Sequence, residues 1–218
     1  MPASMRAAEH IKARTMCNLY TQSKSVDEVA RLFREMQMPL TFPEGLPNLS
    51  PRDIAITDPG VIVRAASPQG PYDVLVRRWS WPGAGGKPVY NFRSDGREFS
   101  SGRCLIIADG FYEFTASSDP KQKRKDRWLF TSPDQPMLGI AGLVRTDPGV
   151  GEAFTMLTTE PGPDVAPYHN RQIAVLPASA WKSWLDYSEP SSELLTPLPE
   201  GTLNVRPAPR EPSEATLV

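Results

Sequence analysis

The stretch RCLIIADGFYEF, residues 103–114, decides the fold class because it holds two apolar segments around one acidic residue. Cys104–Ala108 and Gly110–Phe114 both have the composition of buried β-strands, and Asp109 separates them. Segments of similar character recur along the chain, at residues 17–22, 54–56, 61–63, 72–81, 128–131, 137–146 and 154–159. Many short strands without regularly alternating helices predict an α+β domain built on a curled sheet.

Two segments have helical character, and both are short. Ser25–Met36 places its apolar residues mostly on one helical face, and Ser25 with Glu28 three residues later has the pattern of a capping box. Leu176–Trp184 carries two tryptophans and predicts a short packed helix. Between two of the strands, Asp-Pro-Gly at 58–60 predicts a turn.

The composition is that of a globular domain, and the net charge excludes one kind of nucleic-acid binding. The chain has 218 residues, of which 39% are hydrophobic and 22% charged, as in ordinary globular domains. A formal net charge of −1 excludes a uniformly basic coat for nucleic acid. Arg77-Arg78 or the run Lys121–Arg127 could still form a local basic groove, although such a run is also typical of a solvated hairpin loop.

Two cysteines are too few for a disulfide framework or a zinc site, so we expect no metal and no other cofactor. No apolar run reaches membrane-spanning length and the N-terminus lacks the apolar core of a signal peptide. We therefore expect a cytoplasmic protein without membrane association, with its thiols reduced.

The chain divides into three parts by composition. Residues 1–16 form a polar leader, residues 17–188 hold the strands and helices of one domain, and residues 189–218 are rich in Pro, Ser and Glu. The last part is predicted to be a flexible tail.

Three residues offer chemistry, and each also has an ordinary structural interpretation. Glu113 lies in an apolar strand, where a carboxylate needs a partner or a shifted pKa; the alternative is one solvent-facing Glu. Cys17 has polar neighbours, which favours a nucleophile over a small buried side chain, whereas Cys104 fits the buried interpretation. His169 is either a general acid–base or a structural histidine.

The case for a particular chemistry depends on several motifs that occur in order. They are Met-Cys-Asn-Leu-Tyr at 16–20, Asn-Phe-Arg-Ser-Asp at 91–95, the stretch 103–114, Ala-Gly-Leu at 141–143, Leu-Thr-Thr at 157–159 and His-Asn-Arg at 169–171. This ordered set resembles the SOS-response-associated peptidase family (SRAP), also known as abasic-site processing proteins. The resemblance spans residues 16–187, and its most specific part is the stretch 103–114.

The resemblance implies a curled, mostly antiparallel, barrel-like sheet with a few peripheral helices, and a covalent reaction with DNA. Family members expose the cysteine as the mature N-terminus, where its amine and thiol attack the ring-opened aldehyde of an abasic site and form a thiazolidine crosslink. By position, Cys17 is the nucleophile and Asn91 orients its amine. Glu113 moves protons, and His169 opens the sugar or stabilises the Schiff base.

The resemblance also implies a partner, namely single-stranded DNA that contains abasic sites, bound by a monomer near the nucleoid. Arg93 would hold a phosphate near the lesion. Trp79 and Trp81 would offer an aromatic wedge or stacking surface, with core packing as the alternative. Thr158 and Arg171 are further candidates for contacts with the DNA backbone.

The leader is the largest departure from the family pattern, because Cys17 has no free amine while residues 1–16 precede it. Either translation starts at Met16, or the protein releases the leader itself, or the chain cannot crosslink. Two alternative functions follow. The first is a thiol peptidase that acts on itself or on other chains through Cys17, His169 and Glu113 or Asn91. The second is a non-catalytic module that binds single strands.

Overall fold

A computed structural model describes residues 17–67, 70–119 and 121–208, and these residues form sixteen β-strands and three α-helices. The helices are α1 (Val26–Glu35), α2 (Trp181–Asp186) and α3 (Ser191–Leu194). The first eight strands are β1 (Leu19–Gln22), β2 (Leu40–Thr41), β3 (Arg52–Ala55), β4 (Pro59–Ala65), β5 (Tyr72–Trp79), β6 (Trp81–Pro82), β7 (Pro88–Val89) and β8 (Asn91–Arg93). The others are β9 (Arg103–Ala108), β10 (Gly110–Thr115), β11 (Asp126–Thr131), β12 (Leu138–Asp147), β13 (Gly151–Thr159), β14 (Gln172–Ile173), β15 (Val175–Leu176) and β16 (Asn204–Pro207).

Five strands close into a ring, which is the barrel-like part of the fold. Strand β4 pairs with β5 and β9, β9 pairs with β12, and β12 pairs with β13, all antiparallel. A parallel pairing of β13 with β5, at Phe154 opposite Trp79, completes the circle. The predicted curled and mostly antiparallel sheet with few helices is therefore confirmed.

A second sheet packs against this ring in the strand order β16-β11-β10-β1-β3. Its aromatic residues, such as Tyr20, Phe111 and Phe130, share one buried cluster with Trp79 and Phe154 of the ring. This cluster is continuous between the two sheets, so residues of β1, β10 and β11 pack directly against strands of the ring.

The stretch 103–114 connects the two sheets. Strand β9 belongs to the ring, β10 belongs to the second sheet, and only Asp109 separates them. The backbone N–H of Asp109 donates to the carbonyl of Thr21 at 2.8 Å, and its carboxylate accepts from the backbone N–H of Ser23. These bonds connect the residue at which the chain passes from one sheet to the other with the end of β1. They explain why an acidic residue stands within an otherwise apolar stretch.

Both predicted helices are present, although the second begins at Trp181 and not at Leu176, which belongs to β15. Helix α1 begins with the predicted capping box, in which the Ser25 hydroxyl accepts from the N–H of Glu28 and the Glu28 carboxylate accepts from the N–H of Ser25. Helix α2 packs on β9, and its Trp184 donates from the indole nitrogen to the carbonyl of Cys104 at 2.8 Å. Cys104 is buried, as predicted. No helix in the described ranges is long and apolar enough to cross a membrane.

Two predicted boundaries are wrong for identifiable reasons. The turn before β4 lies earlier than 58–60, since Thr57 has a φ of 81° and Pro59 already begins the strand. Gly60 is needed for close packing within that strand, because a Cβ there would collide with the hydroxyl of Tyr20. Strand β5 ends at Trp79, because Ser80 has a φ of 90° and interrupts the extended backbone.

The structure also differs from the predicted flexible tail. Residues 189–208 contain α3 and β16, and β16 pairs with β11 at the edge of the second sheet. Leu194, Leu195 and Leu198 are buried, so apolar side chains spaced among prolines supply enough burial to order this segment. The predicted leader, residues 1–16, and residues 209–218 of the predicted tail lie outside the described residues.

Candidate active site

Cys17, Asn91 and Glu113 come together although they are far apart in sequence. The backbone nitrogen of Cys17 donates to Oε1 of Glu113 at 3.2 Å. The side-chain amide of Asn91 donates to the carbonyl oxygen of Cys17 at 2.9 Å. Residue 17 is thus held at its nitrogen by a carboxyl group and at its carbonyl by an amide.

The topology explains this convergence. Cys17 lies two residues before β1, which pairs with β10 so that Tyr20 is opposite Phe111. Glu113 follows on the same strand, two residues beyond Phe111. Asn91 begins β8, which is attached in parallel to β13 of the ring. The three residues therefore meet between the second sheet and the ring.

Glu113 is fully buried, which excludes the solvent-facing alternative. Burial raises the pKa of Glu113 to about 8, although the N–H groups of Cys17 and Phe114 and the positive charge of Lys125 act in the opposite direction. Desolvation is the larger effect because it penalises the charged carboxylate. A carboxyl group with such a pKa can donate or accept a proton near neutral pH.

The thiol of Cys17 is equally buried and donates to the carbonyl of Leu19, with Sγ and oxygen 3.4 Å apart. Burial raises the pKa of this thiol, and the nearby Glu113 raises it further. The thiol is therefore protonated at neutral pH and is a poor nucleophile in this state. Any chemistry at Sγ requires transfer of its proton in the same step.

Two polar atoms of this group have no hydrogen-bond partner among the described residues. They are Oε2 of Glu113 and Oδ1 of Asn91. Buried polar atoms are normally paired, so these two are available to a substrate or to water. In the described part of the chain, no three His, Cys, Asp or Glu side chains are grouped so that they could hold a metal ion.

His169 is buried, and hydrogen bonds connect it to residues close to it in sequence. The backbone N–H of His169 donates to the carbonyl of Val165 at 3.0 Å. Its ring Nδ1 lies 3.0 Å from both the backbone nitrogen and the carbonyl oxygen of Arg171, so the tautomer decides whether Nδ1 accepts from the first or donates to the second. In either tautomer the ring has one nitrogen that donates and one that accepts.

Arg171 is held by Asp95 and Thr158. Its guanidinium contacts both carboxylate oxygens of Asp95, at 3.0 and 2.6 Å, and donates to the carbonyl of Thr158 at 2.8 Å. Arg171 also holds down the pKa of the Asp95 carboxyl. Arg93 projects from β8 as an exposed side chain. Contacts of Arg93, Thr158 and Arg171 with DNA stay predictions.

The two predicted stacking tryptophans are both buried. Trp79 is 0% exposed, packs edge-on against Tyr20 and donates from its indole nitrogen to the carbonyl of Tyr90. It has the core role that was the alternative interpretation, since no base can stack on a fully enclosed ring. Trp81 is 5% exposed and the guanidinium of Arg145 covers its ring at 4.2 Å, so Arg145 would have to move to admit a base.

Two further residues near Glu113, Tyr90 and Lys125, were not predicted as members of the site. Tyr90 packs against Trp79 next to Asn91, and burial followed by the charges of Cys17 and Glu113 raises its pKa. The charge of Lys125 reaches Glu113 from the loop before β11. Tyr90 directly precedes a motif residue and Lys125 lies in a charged run, but neither place indicates closeness to Glu113.

Comparison with known proteins supports one family. The model of the SOS response-associated peptidase family matches residues 16–211. A protein from Bordetella bronchiseptica has a similar structure, with a TM-score of 0.65 and 21% identity over 89% of this chain and 100% of the other. A phage-related protein from the same species gives 0.66 and 19%, over 89% and 95%.

A protein from Bacteroides thetaiotaomicron gives a TM-score of 0.62 and 17% identity, over 88% of this chain and 91% of the other. These identities are low, so the similarity of the structures concerns the fold alone. No curated protein matches the sequence of this chain.

Proposed function

Because the chain belongs to the SOS response-associated peptidase family, we propose that it forms a covalent thiazolidine crosslink with abasic sites in single-stranded DNA. The reacting residue is Cys17, once it has become the first residue of the mature protein. The observation that carries the proposal is the contact between the nitrogen of Cys17 and Glu113, which joins the required amine to a buried acid of pKa about 8.

The amine reacts before the thiol. It attacks the carbonyl carbon of the ring-opened abasic sugar and forms a carbinolamine, which loses one water molecule to give an imine. Sγ then adds to the carbon of the protonated imine, and the thiol proton passes to the Glu113 carboxylate. The net reaction joins protein and DNA and releases one water. A protonated, buried thiol fits the second step, because the carbon of a protonated imine is a stronger electrophile than the aldehyde carbon.

Glu113 transfers the protons in this sequence. Protonated Glu113 supplies the proton with which the carbinolamine hydroxyl leaves as water, so the imine forms in its protonated state. The resulting carboxylate then accepts the thiol proton as Sγ adds, which regenerates protonated Glu113. Its Oε1 already contacts the nitrogen of Cys17, and Oε2 has no partner among the described residues. One group therefore acts first as acid and then as base.

The other site residues position the reactants. Asn91 fixes the carbonyl of Cys17 and so orients the amine. His169 transfers a proton to the sugar during ring opening. Arg93 is exposed beside this group and contacts a phosphate near the lesion.

The proposal is tested with a protein that begins at Cys17. Mixed with single-stranded DNA that carries one abasic site, it should give a shifted band that survives denaturation. Cys17→Ala should abolish the band, whereas Cys104→Ala, a matched loss of the other buried thiol, should leave it. The proposal is wrong if the protein that begins at Cys17 gives no denaturation-resistant band.

A second candidate function is removal of the leader by the protein itself. In the full chain the nitrogen of Cys17 belongs to a peptide bond, and the same contact with Glu113 puts an acid at the leaving nitrogen. Sγ would attack the carbonyl of the preceding residue, Glu113 would protonate the departing nitrogen, and water would hydrolyse the thioester. Intact mass is the test: wild type should lose its leader and Glu113→Ala should keep it. Retention by both excludes self-processing.

A further inference from the structure

A cavity lies between the loop before β11 and the end of β16. Its volume is about 580 Å³, within the range of about 300–1,000 Å³ that is usual for ligand sites. Its lining includes the charged side chains Arg124, Lys125 and Arg127, the ring of Trp128, and Pro207 with Ala208 of the last described segment.

Trp128 of the cavity lining links the cavity to the candidate site. Trp128 is the direct antiparallel partner of Glu113, and side chains of such a pair point to the same face. The ring of Trp128 also packs against Tyr168, with 4.9 Å between centroids, and Tyr168 immediately precedes His169. Trp128 therefore connects the cavity lining to the strand of Glu113 and to the segment of His169.

The charge of this region differs from that of the whole chain. Residues 121–127 carry five basic side chains and one acidic side chain, although the net charge of the protein is −1. Asp126 is engaged by the backbone N–H of Ser118, and Arg127 lies near Asp53 at 3.6 Å. Arg124 and Lys125 are exposed at the cavity, where an anion can reach them.

An aromatic wall beside two exposed cations has the chemistry of a single-strand binding surface. Cations hold the phosphates, and an aromatic ring accepts a base of any sequence. We propose that this cavity binds the sugar–phosphate backbone of the strand that continues from the abasic site, with phosphates at Arg124 and Lys125 and a base against Trp128. The inference rests on the proposed function, because it extends the same DNA path.

The test measures non-covalent binding of the full chain to a fluorescent oligothymidine without a lesion, from 50 to 200 mM salt. In Arg124→Ser/Lys125→Ser, the slope of log K against log salt should decrease in magnitude by about 1.4, since each phosphate contact on a single strand contributes about 0.7. Arg31→Ser/Arg34→Ser removes two exposed charges from α1 and should leave the slope unchanged. A wild-type slope in the first variant overturns the inference.

Competition distinguishes DNA from other polyanions. Unlabelled oligothymidine should displace the probe at much lower concentration than poly-glutamate, which has no base to stack; equal displacement overturns the inference. Failure of the proposed function would look different. If both variants bind as wild type does while Cys17-dependent crosslinking persists, only the cavity assignment is wrong. If crosslinking is absent while the slope falls, the cavity assignment holds without the chemistry.

Discussion

The backbone nitrogen of Cys17 lies 3.2 Å from Oε1 of Glu113, and both residues are completely buried. Within the protein this contact joins a reacting nitrogen to a carboxyl group whose pKa is near 8. The same contact serves the amine in crosslinking and the departing nitrogen in leader removal.

Glu113 should make the stability of the protein depend on pH. Its pKa is about 8 in the folded protein and 4.5 ordinarily, so between these values the folded state retains a proton that the unfolded chain has released. Stability should fall as pH rises from about 4.5 to about 8, by an amount on the order of a few kcal/mol, and then level off. Glu113→Gln should remove this slope in urea unfolding measurements.

The control for this measurement is Glu160→Gln, which changes an exposed side chain and should keep the wild-type slope. A constant difference in unfolding free energy between wild type and Glu113→Gln across this range would contradict the raised pKa.

The rate of crosslinking should decline above about pH 8, because Glu113 then lacks the proton that the carbinolamine needs. In Glu113→Gln the reaction should be slower by about 100-fold or more, which is the usual contribution of a general acid, and the alkaline decline should disappear. Single-turnover rates of the protein that begins at Cys17, from pH 5.5 to 9.5, provide the measurement. An unchanged alkaline limb in the variant would assign the decline to another group.

Asn91→Ala should slow crosslinking without weakening the binding of undamaged DNA. The substitution removes the 2.9 Å bond to the carbonyl of Cys17, and an unsatisfied buried carbonyl costs about 1–3 kcal/mol. Because this cost applies to the conformation in which the amine of Cys17 is oriented for attack, the crosslinking rate should fall by about tenfold or more. Asn170→Ala, at an exposed position two residues before Gln172, is the control. Equal rates for the two variants would mean that Asn91 does not orient the amine.

Ser25→Ala should affect stability alone. It removes the hydroxyl that caps α1, at a cost of about 1 kcal/mol, and the crosslinking rate should not change. Urea unfolding measures the first quantity and single-turnover crosslinking the second, with Ser50→Ala as an exposed control. Loss of crosslinking in a folded Ser25→Ala protein would show that α1 acts on the site.

Local patterns predicted the strands and the capping box, because short-range physics determines them. The pairing of the nitrogen of Cys17 with Glu113 depends on the antiparallel register of β1 and β10, which spacing along the chain does not encode. Trp79 illustrates the same limit: the sequence shows an aromatic residue at the end of a strand, while its burial results from Tyr20 and Tyr90 packing on it.

The tail was predicted to be flexible from its composition. That prediction was wrong for residues 189–208, because the stability that a few leucines contribute depends on what they pack against. Residues 189–208 bury Leu194, Leu195 and Leu198 and add β16 to the edge of the second sheet. The family resemblance located the candidate catalytic residues by motif, whereas the shifted pKa of Glu113 and the neutral thiol of Cys17 follow only from the folded surroundings.

The most direct test compares three proteins with the same abasic single strand. They are the full chain, the protein that begins at Cys17, and that protein with Cys17→Ser, which keeps the amine and loses the thiol. Denaturing gels and intact mass should reveal a stable adduct, equal to protein plus DNA less one water, only for the second protein. The Cys17→Ser protein should be trapped only when borohydride reduces its imine. An equally stable adduct from Cys17→Ser, or from a full chain whose mass still includes residues 1–16, would contradict the account.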